Sequence, residues 1–193
     1  MDEISSSQIG SQLHFSKIGI PSSTIINADD YYKKMYDYTE LIKKGTNLLL
    51  INNYSGALEV YNMALSLANE LNNDYKINET SCNIGIVYFY LGKLNESIKN
   101  IQPCYNYINS VCRSEIGKNT IRNLYLLCKS GANLSMCKLA INSENNNCLS
   151  LINNIIDILS KEDNLYNKKY CIQYLNIILF RVNTLLTKKN YYS

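Results

Sequence analysis

The sequence predicts an all-α fold in which antiparallel helix hairpins stack as repeats, about seven helices in all. Three observations predict it. Only two of the 193 residues are prolines, Pro21 and Pro103, and the 81 residues between them hold none, which favours long helices over a turn-rich β chain. Apolar residues make up 46% of the chain, enough for one domain with its own core. In the stretch YSGALEVYNMA, Ala57 and Ala64 lie seven apart, as do Tyr54 and Tyr61. Positions three, four and seven apart share a helical face. Small residues there let a second helix come close, and the rings fill the space beside it.

The elements follow in order. Residues 1–26 are Ser-rich without sustained periodicity, which predicts a mobile tail whose Ile18, Ile20, Ile25 and Ile26 could dock on the body. A helix is expected from Ala28 to about Ile51, opened by Asp29 and Asp30, which suit the positive end of the helix dipole. A second runs from Tyr54 to about Leu71 and stops at Asn72-Asn73-Asp74; the short connection makes the two a hairpin. The next hairpin pairs a helix from about Tyr75 to Leu91 with one ending near Cys112, across a turn at Gly92-Lys93. Pro103 should kink or locally open its second helix.

The third hairpin has two possible frames. A strict 40-residue step puts its turn near Gly131-Ala132-Asn133. The preferred frame runs a helix from about Lys118 to Ile141, turns at NSENNN and continues from about Cys148 to Lys161, because consecutive asparagines suit a turn better than a helix interior. A final helix is expected over 165–188. The end LLTKKNYYS echoes LLINNYS at Leu49–Ser55, which suggests a cap or the start of a further hairpin.

The step of 40 is the organising signal. Gly45 maps to Gly85, Tyr54 to Leu94, Ala57 to Ser97, Tyr61 to Ile101 and Ala64 to Cys104. Small stays small, and large apolar stays large. A further step reaches Leu134, Cys137 and Ile141 but fails at Tyr125 and Glu144. With its mid-helix Gly and the Ala-aromatic-Ala order of its second helix, this pattern resembles the tetratricopeptide repeat (TPR) family, at a spacing of 40 instead of the usual ~34. The resemblance is clearest over residues 38–112 and weaker beyond.

What the resemblance implies is a short right-handed TPR-like solenoid whose first helices line a concave groove for a protein or peptide partner. Aligned on the mid-helix Gly, the groove positions are Thr39, Ile42, Thr46, Leu49 and Leu50, then Glu79, Cys82, Asn83, Ile86, Phe89 and Tyr90. The partner-binding set drawn from them is Ile42, Thr46, Leu49, Asn83, Ile86, Phe89 and Tyr90, with Asn83 and Tyr90 foremost. One TPR subset grips acidic chaperone tails with a Lys three residues before the first Gly and an Asn just after it. Here Ile42 and Thr46 stand at those places. Asn83 alone cannot replace a cation facing a carboxylate, so the groove fits an apolar or amphipathic segment better. Each of these residues also fits the other reading, ordinary inter-helix core.

Composition excludes more than it proposes. The net charge is +3 from 19 basic and 16 acidic residues, without a basic tract able to follow a phosphate backbone. The only histidine, His14, lies in the expected tail, and no phosphate-cradling glycine motif occurs, so no enzymatic chemistry and no cofactor are expected. Seven cysteines without a CxxC pair read as small core residues in a reducing compartment, not as a metal site. Asparagine fills roughly one position in seven, alongside abundant Ile, Lys and Tyr, a bias that AT-rich codons explain. No apolar leader is evident, and YCIQYLNIILF is too short to span a bilayer, so the expectation is a cytoplasmic protein without membrane or nucleic-acid partners. The sequence therefore predicts a non-enzymatic TPR-like adaptor. The alternatives are an N-terminal regulatory module of a longer, possibly catalytic, protein and a metal- or redox-responsive cysteine protein.

Overall fold

A computed structural model describes residues 28–114, 119–141, 147–163, 167–169, 171–173 and 175–176. They form an all-α helical repeat fold, with α1 (Ala28–Leu50), α2 (Tyr54–Glu70), α3 (Asp74–Tyr90), α4 (Leu94–Ser114), α5 (Ile121–Ile141) and α6 (Asn147–Ser160). Residues 167–169, 171–173 and 175–176 are also helical, and no strand occurs among the described residues. Each helix packs on the next, and α3 also touches α5. The predicted tail, the His14 region, the NSENNN turn and the segment after residue 176 lie outside the described residues.

The first three connections share one geometry at intervals of 20 residues. Asn52 (φ 60°), Asn72 (φ 50°) and Gly92 (φ 73°) adopt the left-handed conformation that ends a helix. In each turn the left-handed residue bonds back three residues, and its successor bonds back five: Asn53 N–H to Leu48 O at 2.9 Å, Asn73 to Ala68 at 3.2 Å and Lys93 to Tyr88 at 2.9 Å. The successor also begins the next helix. Asn53 and Asn73 accept the N–H of Gly56 and Lys76 through their side chains, each at 3.0 Å, satisfying donors that the helix start leaves open. Both asparagine pairs are thus a stop followed by a start.

Within a hairpin, the helices meet where the first carries a glycine. A Cβ on Gly45 would lie 2.6 Å from the Tyr61 ring, and one on Gly131 would lie 2.5 Å from Ile155 and 2.9 Å from the Tyr105 ring. One on Gly85 would collide with Ile101 and sit 3.0 Å from the Ser97 carbonyl oxygen. Gly131 is therefore the third member of the glycine series, 46 residues after Gly85 rather than 40. In the third hairpin α5 ends at Ile141 and α6 starts at Asn147. The strict step, by contrast, leads from second-helix positions onto a first helix: Leu134, Cys137 and Ile141 belong to α5.

The stripe Ala57, Tyr61, Ala64 and Ala68 of α2 is buried, as is its echo Ser97, Ile101, Cys104 and Ile108 in α4. The largest core cluster joins α3, α4, α5 and α6 with Cys171 and Leu175, and two smaller clusters seat α1 on α2 and α3. All seven cysteines are buried free thiols. The helix α4 runs uninterrupted through Pro103, which lies on its exposed side; there the missing N–H leaves its carbonyl partner open to water instead of to the core.

Two outcomes are expected in urea unfolding. Gly45→Ala should lower stability: overpacking against Tyr61 costs about 1–3 kcal/mol, more than the helix-propensity gain of up to about 1 kcal/mol. Adding Tyr61→Leu should cost less than the sum of the two single changes; strict additivity would show that the two residues do not share one contact. Asn73→Ala should cost about 1 kcal/mol through the lost cap, whereas Asn72→Gly should leave stability unchanged or raised, since glycine takes positive φ without strain.

Candidate functional site

The helices α1, α3 and α5, the first of each hairpin, share a face crossed by two polar rungs and an aromatic rim. Along α3 this face carries Glu79, Asn83, Ile86 and Tyr90, spaced by four, three and four residues and hence aligned on one side of the helix.

The first rung centres on Glu79. The buried Tyr38 hydroxyl of α1 lies 3.1 Å from Glu79 Oε2, 3.0 Å from Thr80 Oγ1 and 3.3 Å from the Lys76 carbonyl. Its single proton is best directed to the carboxylate, the strongest of these acceptors. Thr80 can donate its own to the Lys76 carbonyl at 2.8 Å. Burial first, then the neighbouring Glu79 charge, pushes the Tyr38 hydroxyl well above its ordinary range, so it stays a donor. From α5, Arg122 pairs with Glu79 at 3.6 Å and stacks 4.3 Å from the Tyr75 ring centroid. Lys76 is almost fully buried, its ammonium 4.0 Å from the Tyr38 ring centroid. Burial, and then the Arg122 charge, lowers its pKa from the ordinary lysine value against the opposing pull of Glu79.

The second rung lies one turn further along α3. Gly45 leaves room for Tyr61 of α2 to reach past it, so the Tyr61 hydroxyl meets the exposed Thr46 Oγ1 at 3.1 Å. On the α5 side, Lys129 Nζ donates to Asn83 Oδ1 at 2.5 Å and lies 5.8 Å from the Tyr125 ring centroid. Among the described residues, no carboxylate forms an ion pair with Lys129. Desolvation acts against its charge, but Cys82, Tyr125, Tyr61 and Glu79 more than offset this, and its pKa is raised. The ammonium therefore stays charged at neutral pH.

The rim closes the face near the turns. Tyr90 stacks parallel on Tyr54 at 5.7 Å and meets Phe89 edge-on at 5.7 Å. Tyr90 is 45% exposed, and Leu50 and Ile51, which precede Tyr54 in the chain, are more exposed still.

The sequence-derived groove residues divide accordingly. Thr46 and Tyr90 reach solvent. Ile42, Leu49 and Phe89 are half-buried, with Leu49 and Phe89 packed against the main core. Ile86 and Asn83 are buried, and Asn83 is engaged by Lys129. Thr39 and Leu50 are exposed, Cys82 is fully buried, and Glu79 is tied into the first rung. Sequence reasoning missed Tyr38, Lys76, Arg122 and Lys129. The signal for Lys129 was present: it precedes Gly131 by two, as Asn83 precedes Gly85, but only the 46-residue offset reveals the match.

Among the described residues, no group of three or more His, Cys, Asp or Glu is arranged to hold a metal ion, and no helix is long and apolar enough to cross a membrane. The arrangement brings hydrogen-bonding groups, the cations Lys76, Arg122 and Lys129, and stacked rings onto a shared face.

Tyr38→Phe should lower stability by about 1–3 kcal/mol, since it strips the buried Thr80 and Glu79 of a shared partner. The control Tyr36→Phe, on an exposed ring, should change it by less than about 0.5 kcal/mol; equal effects would remove the first rung as a stabilising element. Set against known proteins, this chain is matched by no family model, no curated protein and no solved structure.

Proposed function

We propose that the chain is a non-enzymatic adaptor of the TPR kind, holding a segment of another protein along the face shared by α1, α3 and α5. The observation that carries this reading is the alignment on one face of groups suited to a peptide: the Thr46 hydroxyl, the Lys129 ammonium and the partly open Tyr54, Phe89 and Tyr90 rings. The opposite sides of the same helices are filled by apolar core. Hydroxyl and ammonium groups satisfy a peptide's main chain and polar side chains, while aromatic rings accept an apolar one with little loss of rotamer freedom.

Panning a phage-displayed random peptide library on the immobilised protein tests it. Wild type should enrich related sequences, and the corresponding synthetic peptides should bind Tyr90→Ala and Phe89→Asp on the order of tenfold more weakly in fluorescence anisotropy. Far-UV circular dichroism should show both variants helical. Full binding to both helical variants, or no enrichment by wild type, overturns the reading.

A further inference from the structure

We propose that the edge of the molecule where each first helix turns into its second rests on an anionic lipid surface. The inference goes beyond the adaptor reading, because it concerns the ends of the hairpins and not the face shared by α1, α3 and α5. The contact is peripheral: among the described residues no helix is long and apolar enough to cross a membrane.

Exposed apolar side chains gather at this edge. Of the eleven large ones among the described residues, six flank a turn inside a hairpin: Leu50, Ile51, Tyr90, Leu91, Ile141 and Leu149. Turn geometry does not force this exposure. Ile51, Leu71 and Leu91 hold the same place, each just before a left-handed residue. Ile51 is 71% and Leu91 40% exposed, whereas Leu71, at the opposite edge, is only 6% exposed. The three inner turns form one row. The Tyr54–Tyr90 stack joins the first to the second. Ser97 Oγ, 3.0 Å from Cys137 Sγ, joins the second to the end of α5, and Ser135 and Cys148 join that end to the start of α6.

Three features suit this row to lipid. Its tips protrude from separate hairpins, and none of the six lines the cavity of about 340 Å³ between α6 and the helical residues after it. The backbone N–H groups of residues 51–53 and 91–93 already bond to carbonyls of their own helices. Entry into the interface therefore strands none of them, which matters where water is scarce. Charge is also of the right sign. Within two helical turns of the edge, the described charges are Lys44, Lys93, Lys99 and Lys138 against Glu59 and Glu96, and Glu144 lies outside the described residues. None of these four lysines forms an ion pair among the described residues. Lysine stems lie along apolar surface with the ammonium among headgroups, and anionic lipids attract such clusters. Tyrosine favours the membrane–water boundary itself.

The chain holds no tryptophan, so one introduced at the edge reports its own surroundings. Leu50→Trp should shift its emission to the blue on phosphatidylcholine vesicles containing about 30% phosphatidylserine. Met63→Trp, exposed in the middle of α2, should not. In flotation with the same vesicles, the double variant Leu50→Ser, Ile51→Ser should bind on the order of tenfold more weakly than wild type. Far-UV circular dichroism should show it helical. Vesicles of phosphatidylcholine alone should carry little wild-type protein. Absent flotation of wild type, equal flotation on both vesicles, or undiminished flotation of the helical double variant overturns the inference. So does an edge that joins two copies of the chain: sedimentation velocity would then show a wild-type dimer and a monomeric double variant, neither binding vesicles.

Discussion

The closest approach of the two helices within a hairpin is the contact on which the rest of the structure depends. At Gly45, Gly85 and Gly131, the partner helix presses a large side chain onto bare backbone, and there is no room for a methyl group. Dense packing of this kind leaves little freedom in the distance between helices. At Gly85 a hydrogen bond reinforces it, the Ser97 hydroxyl donating to the glycine carbonyl at 2.7 Å. The contact also determines what reaches the shared face. Ile101 ends within the core, whereas the longer Tyr61 passes Gly45 and delivers a hydroxyl to Thr46. One substitution between two equivalent positions therefore makes the first hairpin polar where the second is closed.

The turns set the second constraint. Helices stopped and restarted every 20 residues bring α1 and α3, and α2 and α4, into equivalent positions, so contacts between hairpins recur near 40 residues. Tyr38 of α1 meets Glu79 of α3 across 41 positions. Beyond α4 the interval lengthens, and Asn83 meets Lys129 across 46. The fourth helix, of 21 residues against 17 in α2, and the segment that separates it from α5 account for the change. The interaction survives because each hairpin is locked internally by its own glycine, so the connection between hairpins can vary.

Much of this was legible from the pattern of residue sizes. The buried stripe of α2 and its echo in α4 follow from periodicity, which reports packing directly. Asparagine was harder to read. Codon bias accounts for its abundance but not for Asn52-Asn53 and Asn72-Asn73, where tolerance of positive φ and a short acceptor side chain are both required. Asn83 could not be assigned to groove or core from its position alone. It is both on the shared face and buried, because Lys129 arrives from a helix whose register the 40-residue step misplaces. Lys76 was silent for a related reason: a cation looks solvent-exposed in sequence until an aromatic ring from another hairpin covers it.

The two rungs occupy the same face but have different electrostatic states. In the first, Glu79 faces Arg122, the Tyr38 hydroxyl accompanies them, and the Tyr75 ring covers the guanidinium. A network satisfied in this way rigidifies what it joins, here three hairpins. In the second, the Lys129 ammonium has an amide oxygen and a distant ring face, with no carboxylate paired to it among the described residues. An attraction already used inside the molecule adds little for a partner. The first rung therefore acts as a strut. The second rung and the adjoining aromatic rim, with its exposed Tyr90, are held less completely from within.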